Sequence, residues 1–341
     1  MNEFGNGIES QVDTRKETQD ITISPEADSM LSVLFKDDYE GVEGTESNAD
    51  TEEPIDSKQE MADLFSDDFS DNDASKNESD ADEQEKVDLT KQYEPNSKFE
   101  INGQTYETDD NGYIYKIDGY ELMPDCEYTI DGVTYKTDSL GRIVSCDGNA
   151  TSTPDGERDE KAQKMAGGED RRPGDQGGHI LARIFGGAKG IENMLAMRGT
   201  AINQSVYKRM ENEIGKALED GKEVHVHVDV EYEGDSQRPS KITVTYTIDG
   251  KETVAVFDND EGSTDLLDDL DDKISESDLQ DLKDEIQDAN EDGANMSVVS
   301  VKTEYDEDGN ITKVTVTIRD ENGEPHPVNE DRVYEPKEAA Q

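Results

Sequence analysis

Among the four histidines of this 341-residue chain, His179 has the most distinctive setting. It closes the glycine-rich turn GDQGGH (residues 174–179), directly before a short apolar run. An imidazole titrates near pH 6.5, so a neutral ring can accept a proton from water at physiological pH. A lone histidine beside a turn can equally be a bystander. Further along, Asn203, Tyr207 and Glu211 recur every four residues, which on a helix places them in one polar stripe. Val206, Met210 and Ile214 form an apolar stripe about 100° round from it. Such a helix packs on one side and displays polar groups on another. Asn203 falls in its first turn, where it is either a metal ligand or an N-cap.

Together, GDQGGH and INQSVYKRME (residues 202–211) resemble the DNA/RNA non-specific endonucleases of the ββα-metal, or His-Me finger, group. The resemblance is greatest to the bacterial branch that includes nuclease toxins linked to type VII secretion. With the upstream stretch YKTDSLGRI it covers residues 128 to 257. It implies an α+β fold with a ββα-metal core and an antiparallel sheet, acting on DNA and/or RNA. In that family the histidine comes from an Asp-Arg-Gly-His motif, and an asparagine ligand is followed eight residues later by glutamate. Carried over, His179 activates water for in-line attack, Asp175 belongs to the same motif, and Asn193 braces the histidine loop. Asn203 holds one Mg²⁺, or another divalent cation such as Mn²⁺, and Glu211 orients metal-bound water. The cation offsets charge on the leaving 3′ oxygen, and one protein ligand suits magnesium's habit of keeping its waters. Gln176-Gly177-Gly178 stands where the family has Arg-Gly. That removes an arginine and leaves Arg171, Arg172, Arg183 and Arg198 as local candidates to grip phosphate. An immunity protein or a secretion chaperone is an implied partner.

Composition divides the chain around this segment. Residues 1–97 carry 7 basic and 29 acidic side chains, whereas residues 171–257 carry 12 and 13; the whole chain is at -53. The first 97 residues read as a disordered acidic arm, interrupted by LFKDDY (34–39) and LFSDDF (64–69). Residues 98–147 are duplicated: FEINGQTYETDDNGYI matches YTIDGVTYKTDSLGRI at an offset of 29, with Asn-Gly and Asp-Gly turns that predict β-hairpins. These hairpins read as a packing or spacer module. Residues 148–170 read as a linker, and 171–258 as the nuclease core. In that core, a helix ending at Gly221 precedes three strands, 223–232 and two more around Asp249-Gly250. Residues 259–341 form an acidic αββ extension that echoes the core. Asp288 to Gly293 imitates the start of a calcium loop, but its twelfth position is Val299 instead of glutamate.

Other chemistries find little support. His225 and His227 alternate with valines on the polar face of a strand, and His326 lies between prolines. No Ser-His-Asp spacing, P-loop or Rossmann glycine pattern is visible. Cys126 and Cys146 read as two free thiols. No signal peptide is visible and no apolar run reaches membrane length, so membrane insertion is not expected, and the chain is expected to be cytoplasmic or exported by a route that reads no such peptide. Because the acidic ends would repel a polyanion, the arm is expected either to screen the substrate groove or to maintain solubility. A catalytically weak, nuclease-like interaction protein is the alternative reading.

Overall fold

The computed structural model describes residues 87–153, 159–260, 265–320 and 331–337, all within one compact unit, Asp56–Gln341. LFKDDY, LFSDDF and His326 lie outside the described residues. The architecture is α+β, with every strand pairing antiparallel.

The duplicated hairpins go separate ways. The first copy, β1 (Lys98–Ile101), β2 (Gln104–Thr108) and β3 (Ile114–Ile117), joins β4 (Glu121–Leu122) in a four-stranded sheet. The second copy, β5 (Glu127–Ile130), β6 (Val133–Thr137) and β7 (Ile143–Asn149), forms one end of a nine-stranded sheet. In both turns the central residues take positive φ, 54° and 82° at Asn102-Gly103 and 52° and 80° at Asp131-Gly132, as a type I′ turn requires. The last stretch assigned to the acidic arm belongs with the first copy: Tyr93 stacks on Phe99 at 4.8 Å and its N–H donates to the Gly112 carbonyl.

The large sheet continues through β10 (Val224–Tyr232), β11 (Pro239–Ile248) and β12 (Lys251–Asp258), then β13 (Ser297–Tyr305), β14 (Ile311–Arg319) and β15 (Arg332–Tyr334). Boundaries at 147 and 258 therefore run through a single sheet, because β7 pairs with β10 and β12 with β13. The physical reason is that an unpaired strand edge leaves a row of backbone groups without partners.

Two cores lie on opposite faces of that sheet. Ala255 and Phe257 join the main core with α2 (Lys208–Glu219), whereas Val256 packs with α3 (Asp265–Asp268) and α4 (Glu276–Glu291); side-chain alternation along β12 accounts for the split. Helix α4 runs through Glu291, so the calcium-loop look-alike is mostly helix. The supposed linker also contains structure, since α1 (Glu160–Met165) is capped by Asp159 and buries Ala162 and Ala166 against Met194. Both cysteines are free, and burial pushes the Cys126 thiol up to about 11 and Cys146 to about 12. Among the described residues, no helix is long and apolar enough to cross a membrane.

Candidate active site

His179 is the last residue of a strand and does not sit in a turn. β8 (Asp175–His179) pairs with β9 (Met194–Arg198) as a two-stranded ribbon, with His179 opposite Met194. A π-helix (Gly199–Tyr207) leaves β9 at once and continues into α2. Glycine occupies the middle of β8 because neighbours approach it closely, a role distinct from turning. A side chain at Gly177 would collide with the Gln163 backbone. At Gly178, an added Cβ would stand 2.6 Å from Asn203 Oδ1 and 2.7 Å from Met197 Sδ.

Asn203 lies within the π-helix, whose N-cap is Arg198, so it caps nothing. Its Nδ2 donates to Gln176 Oε1 at 2.9 Å, while its Oδ1 accepts no hydrogen bond among the described residues. Tyr207, one step along the polar stripe, donates its hydroxyl to the Ile180 carbonyl at 2.5 Å. Burial, reinforced by the Glu211 charge, pushes this phenol well above 10, so it keeps the proton it donates. The helix thus touches the chain at the residue before His179, through Asn203, and at the residue after it, through Tyr207. Glu211 follows on the stripe, with Lys208 Nζ 3.8 Å from its carboxylate. Nε2 of His179 is shielded from solvent.

Asn193 is fully buried and holds the loop between the two ribbon strands. Its Nδ2 donates to Leu181 O and Ala188 O, both at 2.8 Å, and its Oδ1 accepts from Leu181 N–H at 3.1 Å. An Asn193→Ala variant leaves these buried groups unsatisfied and is expected to lose roughly 1–3 kcal/mol of stability, measured by urea unfolding; an unchanged midpoint would show that water replaces the amide.

Asp175 has a different task from its motif partner. Its carboxylate is buried in a bidentate pair with Arg238, at 2.7 and 3.0 Å, and also accepts from Arg172 N–H at 2.8 Å. These bonds anchor β8 to Arg238 and to the chain before it. The arginines divide similarly. Arg171 binds the carbonyls of Gln163, Lys164 and Asp175. Arg172 pairs with Asp260 at 2.8 Å, and Arg198 is buried with Nη1 directed at the Asp260 carbonyl. Arg183 opens a short turn in the loop that follows His179.

Several supporting residues escaped sequence reasoning. Tyr135 and Tyr128, aligned in the duplicated hairpin, reach the loop through hydrogen bonds with Ala188 N–H and Glu192 O. Lys116 of the first copy forms a buried 2.8 Å pair with Glu192; burial works against its charge, yet Glu192, Tyr115 and Glu107 together outweigh that and hold Lys116 above the usual lysine range. Asn259 ties β9 to β11, accepting from Arg198 N–H and donating to Ala196 O and Pro239 O. Tyr135, repeated as Tyr106 in the first copy, was the available signal; the others act across long sequence separations. His225 and His227 share the Asp147 carboxylate at 3.3 and 2.9 Å as a half-exposed network. Among the described residues, no group of three or more His, Cys, Asp or Glu is arranged to hold a metal ion.

Residues 124–250 match the DNA/RNA non-specific endonuclease family. The chain is 41% identical over 109 residues to the type VII secretion system protein EssD of Staphylococcus aureus strains USA300 and NCTC 8325. That match covers 30% of this chain and 18% of EssD, so the chain spans less than a fifth of the relatives it matches. Among solved structures, NucA from Streptococcus agalactiae with magnesium ion bound aligns with 49% of this chain and 85% of its own, at 14% identity and a TM-score of 0.30, a slight likeness.

Proposed function

We infer that this chain, which carries a DNA/RNA non-specific endonuclease domain over residues 124–250, hydrolyses phosphodiester bonds in DNA and/or RNA with a divalent cation held at Asn203. The reading rests on one observation: the helix that follows the β8–β9 ribbon straddles His179, with Asn203 against Gly178 and Tyr207 on Ile180. Strand, strand and helix in that order are what a ββα-metal site needs.

The donor chemistry fits a hard cation. Asn203 offers a carboxamide oxygen with no competing donor among the described residues, and oxygen ligands suit Mg²⁺ or Mn²⁺. A hydrated cation bound there supplies charge to offset that of the leaving oxygen. The remaining work falls to the chain. His179 takes the proton from the attacking water, Asn193 fixes the loop behind it, Glu211 orients water at the same helix stripe, and Arg183 grips the phosphate. Similarity to a type VII secretion protein supports an exported antibacterial effector, restrained by an immunity protein or escorted by a secretion chaperone.

The test is incubation of the purified chain with plasmid and with RNA, in Mg²⁺ or in EDTA, beside Asn203→Ala. Cleavage is expected in Mg²⁺ alone, and Asn203→Ala is expected to need far more metal for the same rate. Undiminished cutting in EDTA would refute the metal-dependent reading. The pairing of Arg172 with Asp260, which neutralises a charge beside the site, favours the second reading of a weakly catalytic interaction protein; binding without cleavage would establish it.

A further inference from the structure

We propose that Gln176 is a positioning residue that sets which end of the Asn203 carboxamide faces the cation; the inference rests on the metal-dependent reading above. An asparagine amide has two ends of similar shape and opposite chemistry, since its oxygen ligates and its NH₂ repels a cation. Something must choose between them.

Gln176 makes that choice by accepting from Asn203 Nδ2 at 2.9 Å. With the NH₂ committed to Gln176, Oδ1 is the end that remains. Two glycines make the arrangement possible. Gly178 leaves space for Oδ1, as its missing Cβ shows, and Gly199, the first residue of the π-helix, leaves space for the glutamine stem, because a Cβ there would stand 3.0 Å from Gln176 Cγ and Cδ. The glutamine side chain is therefore threaded between ribbon and helix, with Asn203 its single hydrogen-bond partner among the described residues.

The experiment is a Mn²⁺ binding isotherm on the full chain at 0.15 M KCl, followed by the electron paramagnetic resonance of unbound Mn²⁺. The acidic surface contributes weak binding of its own, so the component lost in Asn203→Ala defines the site. Gln176→Met, similar in length but unable to accept, is expected to weaken that component roughly 10–100-fold, the range for partners that orient metal ligands. Gln176→Glu can only accept from Nδ2, and is expected to keep it within about threefold or tighten it. Saturating Mn²⁺ is expected to restore most of the Gln176→Met cleavage rate, with circular dichroism melts matching the parent.

If Asn203→Ala weakens binding while Gln176→Met follows the parent isotherm, this inference falls and the metal site stands. Equal weakening in Gln176→Met and Gln176→Glu also overturns it, because acceptance by residue 176 would then be irrelevant. If Asn203→Ala itself follows the parent isotherm, the metal-dependent reading and this inference fall together.

Discussion

Replacing His179 with alanine is expected to slow cleavage of plasmid and RNA by about 10²–10⁴-fold, the usual contribution of a positioned general base, or roughly 3–5.5 kcal/mol of barrier. The expectation follows from where the residue sits. It is the last residue of β8, and neighbours on both sides are fastened to the following helix. Those fastenings use Asn203, Tyr207, Gly178 and the Ile180 backbone, so they survive loss of the imidazole, and the thermal midpoint should move little. Initial rates in Mg²⁺, measured beside circular dichroism melts, separate chemistry from folding. A rate within a few fold of the parent would move the proton-accepting role to another group.

Asp175→Ala should produce the opposite pattern, a large loss of stability. Arg238 is as buried as Asp175, each with 2% side-chain exposure, and its other carboxylate partner, Asp260, is 3.3 Å away. Deleting Asp175 removes the bidentate partner and leaves the buried guanidinium with Asp260 alone, a carboxylate it shares with Arg172, at a cost approaching roughly 3–5 kcal/mol, read as a lowered urea midpoint. Replacing the pair with apolar residues, Asp175→Leu with Arg238→Met, is expected to recover much of that loss, since a well-packed apolar substitute often matches a buried ion pair. Asp175→Asn should stay folded enough to assay and retain most of the parent rate. A rate collapse in Asp175→Asn without loss of stability would return Asp175 to the reacting groups.

Much of the site's helix was legible in the sequence. Spacings of four gave both the polar stripe of Asn203, Tyr207 and Glu211 and the apolar stripe of Val206, Met210 and Ile214; the apolar stripe packs in the main core, but so does the ring of Tyr207, whose hydroxyl alone serves the polar side. The three strands of the meander and the duplicated hairpins were equally plain, because alternation and Asn-Gly or Asp-Gly turns are local signals. β8 was not legible. Two adjacent glycines look like a turn to any local criterion, and only contacts with Gln163, Met197 and Asn203, scattered over the chain, reveal them as extended backbone under close approach. The Arg238–Asp175 pair escaped for the same reason, being 63 residues apart. Nor did the periodicity distinguish a π-helix from an α-helix over a segment so short. The alanines of α1 were hidden by a composition of Gly, Pro and charged residues that elsewhere marks a loop.

The continuous nine-stranded sheet bears on where such a protein can be cut. The stretch that matches the endonuclease family stops at 250, between β11 and β12 in the turn of a hairpin. Excising that stretch would strip β11 of its neighbour along Lys241 to Ile248, leave Arg198 without Asn259, and expose an unpaired strand edge open to other chains. Likeness and pairing part company here: the portion that matches nucleases is smaller than the sheet it is built into.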